Sequence, residues 1–196
     1  MILSACIQTK NLLFPWREEL VAFLGNSGLL RGEPPEAVDI DEAEEFGYGA
    51  QEWRGIVNDF ADSGALIRAT PYPETMKALD LLVAYQVAPM LQVDGIPPRA
   101  VSEMLQWFRV HGLDKYSTLV GPADFINTVV LITTSEDDAF CFSEINKYRG
   151  LGMSLVAQKP EHVLKIVEKV IVEPVEITKS ETAEENEEDS EEEYDM

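Results

Sequence analysis

Residues 47–68, GYGAQEWRGIVNDFADSGALIR, decide how this chain is first read. Gly47 and Gly49 flank Tyr48, where the backbone must bend. Trp53, Ile56, Val57 and Phe60 then recur at i, i+3, i+4 and i+7, a single apolar stripe of a helix that Ser63-Gly64 stops. Arg54 and Asn58 lie about one turn apart on the side away from Trp53 and Phe60. That spacing suits either contacts to base edges and phosphates or a plain solvated face.

Working outward, a short apolar strand is expected near Ile2 to Ile7 and a helix from Trp16 to Leu24, followed by the proline-bearing connector RGEPPEAVDID. On the other side, Ala65 to Thr70 reads as a short extended piece and Pro71-Tyr72-Pro73 as a turn. Met76, Leu79, Val83, Val87 and Met90 then stripe a long helix over about Glu74 to Val93, kinked by Pro89. Pro98 opens a further helix whose buried face is Val101, Met104, Leu105 and Phe108. NTVVLITT and AFCFSEI, joined by the acidic turn Ser135 to Asp138, read as a β-hairpin. A last helix, EHVLKIVEKV, leads into the extended VIVEPVEI, while RGLGMS reads as a loop.

Taken in order, Val38 to His111 resembles a MerR-type winged helix-turn-helix unit of the regulator or antitoxin type. DIDEAEEFGYGAQEW is similar to that family's first helix and turn, with Glu42-Ala43 followed by Phe46-Gly47. EWRGIVNDFADSGALIR is similar to its recognition helix and the step into the wing. YPETMKALDLLVAYQVAPMLQVDGIPPRAVSEMLQWF is similar to the helix pair that follows. The resemblance implies a winged helix-turn-helix-like helical unit, and the hairpin and acidic tail beside it make the expected fold α+β: that unit, then a small antiparallel sheet and a disordered acidic tail. The segments expected are an N-terminal strand and helix (1–35), the winged unit (36–112), a hairpin-plus-helix unit (113–177) and the tail (178–196). It also implies a homodimer that binds duplex DNA through Gln51, Arg54, Asn58 and Arg68.

Charge pulls the other way. The formal net charge is −21, and twelve of the 36 acidic residues follow Val172 against the single base Lys179. Such a tail buries too little to offset the entropy of ordering. Residues 36–112 themselves hold 13 acids and five bases, whereas a DNA reader gains most of its affinity by neutralising phosphates. A second reading therefore stands beside the first: an acidic adaptor or inhibitor that meets a basic protein such as a toxin, nuclease or polymerase.

Catalysis finds no support at this stage. Asp137-Asp138 fall at the expected hairpin turn, and no phosphate loop or His/Cys pairing is present. His111 and His162 have no second ligand at metal spacing, so neither metal nor cofactor is expected. Cys6 and Cys141 read as reduced thiols of a cytoplasmic chain. No run approaches the ~18 apolar residues that span a bilayer.

Overall fold

The computed structural model describes residues 4–34, 42–93, 96–119, 128–147 and 152–172. In chain order they form β1 (Ser4–Gln8), α1 (Trp16–Asn26), α2 (Glu42–Glu45), α3 (Ala50–Asp62), α4 (Ala65–Arg68), α5 (Pro73–Ala84) and β2 (Ala88–Gln92). These are followed by α6 (Pro98–Val110), β3 (Ser117–Leu119), β4 (Val130–Thr133), α7 (Glu136–Asn146), β5 (Met153–Val156) and α8 (Pro160–Val172). The five strands make one sheet of order β3-β2-β1-β4-β5 in which every pair is parallel. β1 and β4 are buried at every position, as expected of parallel strands covered on both faces.

Strand alternation sorts the apolar residues into two layers. Ala5, Ile7, Leu91, Val93, Val130 and Ile132 join the main core, which also takes Trp16, Phe60, Leu79, Trp107 and Val163 from the helices. Cys6, Leu131 and Leu119 face the other way and meet Phe142 of α7. The main layer is rich in aromatic contacts. Phe14 and Trp107 pack edge-on at 5.0 Å, and Trp16 and Phe60 at 5.3 Å.

The expected small antiparallel sheet is absent from the described residues, and three local readings behind it are corrected. AFCFSEI is not a strand but most of α7. Ser135 caps this helix by accepting the Asp138 backbone N–H at 3.1 Å, and Ala139, Phe142 and Asn146 form its buried side at i, i+3 and i+7. The long helix over 74–93 ends at Ala84. Gln86 turns the chain at φ 60°, and the remainder becomes β2. Pro89 is tolerated there because it pairs with Ala5 of β1, while β3 pairs only from Met90 onward. Ala65 to Thr70 begins with the short helix α4 rather than an extended piece, so the winged helix-turn-helix unit has no wing.

The apolar stripe of α3 is buried as its period predicts: Trp53, Ile56, Val57 and Phe60 all face inward. RGLGMS was expected to be a loop, but Met153 and Ser154 belong to β5. The acidic tail and most of VIVEPVEI lie outside the described residues.

Candidate active site at the carboxyl edge of the sheet

Strand order reverses at β1: β2 and β3 lie on one side of it, β4 and β5 on the other. In open parallel sheets ligands bind above the carboxyl ends of the strands at such a switch point. Here β1 ends in Gln8 and runs on into Thr9-Lys10-Asn11, β2 ends in Gln92, and β4 ends in Thr133 before Thr134-Ser135.

The side-chain amide of Gln8 ties the two central strand ends together. Its Oε1 accepts from the Thr133 hydroxyl at 2.8 Å, the Thr134 backbone N–H at 2.6 Å and the Thr134 hydroxyl at 2.9 Å. A backbone N–H only donates, so the oxygen of the amide must face it. Thr133 Oγ1 in turn accepts from the Ser135 N–H at 3.0 Å, and Ser135 Oγ caps α7 at Asp138. A continuous set of hydrogen bonds thus runs from β1 to the first turn of α7 and fixes the backbone of Asp138. The half-buried Asp138 carboxylate accepts from Gln92 Nε2 at 3.4 Å, which connects it to β2.

The loop after β1 is clamped as firmly. Thr9 donates its N–H to the Gln92 carbonyl at 2.9 Å and accepts from the N–H groups of Leu13 and Phe14. Asn11, at φ 63°, accepts the Arg17 N–H at 3.0 Å through its side chain, satisfying a donor in the first turn of α1. From α5, the Tyr72 N–H donates to the Leu13 carbonyl at 3.0 Å, and the Thr75 hydroxyl to that of Leu12. Lys10 sits in this loop, half-buried, with its Nζ 5.4 Å from the centre of the Trp16 ring. Two buried oxygens at the edge, Thr9 Oγ1 and Gln92 Oε1, have no hydrogen-bond partner among the described residues.

Cys6 lies one alternation below Gln8 on β1. Burial pushes its thiol far above the ordinary range, and the nearby Asp138 carboxylate pushes it further. The thiol therefore stays protonated and is no nucleophile. The folded state holds this proton more tightly than the unfolded chain, so the resulting stability is complete below the ordinary thiol value of 9.0 and is lost as pH rises above it. Stability is expected to fall by up to about 1.4 kcal/mol per pH unit above that point through this group. Comparing melting at pH 8 and pH 10.5 for the native chain and Cys6→Ala checks it, since the variant should lose the smaller amount. An equal loss in both chains would refute the assignment.

The residues expected to read DNA lie elsewhere. Gln51 and Arg54 are exposed on α3 and Asn58 is half-buried there. Arg68 ends α4 and donates to the Ser63 carbonyl at 3.4–3.5 Å. Sequence reasoning missed Gln8 and Lys10, and it set Asp138 aside as a hairpin-turn acid where the structure has the first turn of α7. The available signal was an apolar run passing into polar residues and then a helix, present both at SACIQTKN and at VLITTSEDD, the second carrying a serine cap three residues before an acid.

No protein-family model and no curated protein matches the chain. Solved structures do. One is a protein assigned as a β-phosphoglucomutase from Thermotoga maritima, 12% identical with a TM-score of 0.52, the match covering 86% of this chain and 100% of that one. Another is a HAD-superfamily hydrolase of subfamily IA, variant 1, from Geobacter sulfurreducens PCA, 16% identical with a TM-score of 0.52 over 86% of this chain and 99% of that one. At these identities the likeness concerns architecture alone, an α/β fold with a parallel sheet that a HAD-superfamily hydrolase shares. It replaces the MerR-type winged helix, and the reading as a duplex-DNA regulator or antitoxin falls with it. The adaptor alternative, which rested on the charge, gains no support from these neighbours. The expectation that the chain is not an enzyme loses its footing with the winged unit, since the fold is one that a hydrolase and a protein assigned as a mutase share. Among the described residues no helix is long and apolar enough to cross a membrane.

Proposed function

We propose that the chain is a hydrolase of small phosphate esters acting at the carboxyl edge between β1 and β4, with Asp138 as its acid–base group. The observation that carries this reading is the set of hydrogen bonds from Gln8 through Thr133 and Ser135 to the Asp138 backbone, which fixes that residue at the switch point with its carboxylate 3.4 Å from Gln92 Nε2. Phosphate esters are the substrate class suggested by the similarity to a protein assigned as a phosphoglucomutase and by the basic Lys10 in the adjoining loop. In the step proposed, water attacks phosphorus and gives a proton to Asp138 as the new P–O bond forms. As the bond to the ester oxygen breaks, that oxygen takes the proton back from Asp138 and leaves as the alcohol, which returns Asp138 to its carboxylate form. Gln8 is a positioning residue, set back from the substrate.

The test is release of inorganic phosphate from a panel of small phosphate monoesters by the purified full chain, with magnesium and without it. Turnover of at least one ester, abolished by heat denaturation, is the expected result. No release above the uncatalysed background from any ester under either condition overturns the proposal.

A further inference from the structure

Hydrolysis of a phosphate ester requires positive charge beside the phosphoryl oxygens, supplied by a metal ion or by a cationic side chain. The substrate group itself carries a charge near −2. Two features of the edge favour the side chain.

The first is the supply of metal ligands. Among the described residues no group of three or more His, Cys, Asp or Glu side chains comes together in a way that could hold a metal ion. Of the consecutive acids that open α7, Glu136 and Asp137 are exposed to solvent, and Asp138 is drawn toward Gln92. Divalent cations of the magnesium type are held by oxygen ligands in near-octahedral geometry, and one carboxylate already shared with an amide is a poor start. The second feature is Lys10. Along the described ends of the three central strands, residues 8–11, 92–93 and 133–138, it is the one basic residue. Its loop is pinned to β2, α1 and α5 by the hydrogen bonds of Thr9, Asn11, Leu12 and Leu13. The loop backbone is thus fixed beside the strand ends, and the Lys10 side chain extends from it with its Nζ 5.4 Å from the Trp16 ring centre, a cation that attracts a phosphate and repels a second cation.

Resting on the hydrolase reading above, we infer that the Lys10 ammonium neutralises the phosphoryl group at this edge and that phosphate binding needs no divalent cation. The inference sets the ligand class as a phosphate group recognised by a single point charge carried on a pinned loop.

The experiment is calorimetric titration of the full chain with inorganic phosphate, once in EDTA and once in magnesium, repeated with Lys10→Met and Lys10→Arg. The expected result is equal affinity in the two buffers, an affinity about tenfold to a hundredfold weaker in Lys10→Met, and a smaller loss in Lys10→Arg, which separates charge from packing against Trp16. Binding to the native chain should also weaken as salt is raised. Phosphate binding that appears only with magnesium overturns the inference and leaves the phosphate-ester site standing, a comparison that needs no variant. So does an affinity in a folded Lys10→Met within twofold of native. No phosphate binding in either buffer overturns the hydrolase reading, and this inference with it.

Discussion

Asp138→Asn lowers the rate of phosphate release by about a hundredfold to ten-thousandfold, the range for removing a positioned acid–base group. The substitution is close to isosteric. The backbone N–H that binds Ser135 Oγ at 3.1 Å is untouched, and the asparagine oxygen still accepts from Gln92 Nε2. The melting temperature should therefore stay within a few degrees of native while turnover collapses, and KM should move less than kcat. A variant that retains activity within a fewfold of native would remove Asp138 from the chemistry and with it the mechanism proposed for this edge. The half of the site that Gln8 supplies behaves differently. Its amide touches Thr133 and Thr134, so its loss acts by letting the first turn of α7 drift.

Trp107→Ala is the change expected to cost most stability, about 3–5 kcal/mol, a large share of the roughly 5–15 kcal/mol typical of a folded chain. The indole is fully buried on α6 and packs edge-on against Phe14 at 5.0 Å, with Phe108 at 5.8 Å and His111 at 4.9 Å. Its Nε1–H donates to the Ala69 carbonyl at 2.7 Å. Truncation therefore empties a cavity next to the loop that carries Lys10 and removes a buried hydrogen bond, although His111 Nε2 also lies 3.1 Å from that carbonyl. Equilibrium denaturation of the native chain and the variant measures the loss, with Trp107→Phe expected to recover much of it. A difference below about 1 kcal/mol would show that the cluster relaxes around the gap, contrary to the close packing of protein interiors.

The elements legible along the chain are those whose signal is local. α3 announced itself through Trp53, Ile56, Val57 and Phe60, and α6 through Pro98, Met104 and Phe108, although Trp107 and Ala100 complete its buried face and Leu105 is exposed. A helix closes its hydrogen bonds within a few residues, so its period is written in its own segment. β1 was visible for a related reason, since a strand buried on both faces is a continuous apolar run.

β2, β3 and β5 had no such signal. β3 and β5 span three and four residues, and β2 carries a proline. What makes them strands is their pairing with partners remote in sequence: Ser4 meets Ala88, and Val130 meets Met153. With those pairings hidden, the helices after Gly47 looked like a self-contained helical unit, and Phe140 and Phe142 of α7 mimicked strand alternation. The site was concealed by the same cause. Gln8, Gln92 and Asp138 share one edge because parallel pairing aligns the carboxyl ends of strands that the chain visits far apart. Sequence by itself determined α1, α3, α6 and α8, the strands β1 and β4, and the charge. The parallel sheet, the loss of the winged unit and the meeting of Gln8, Gln92 and Asp138 at one edge were decided by tertiary structure alone, because the energy of a strand pair belongs to two segments at once and to neither when read singly.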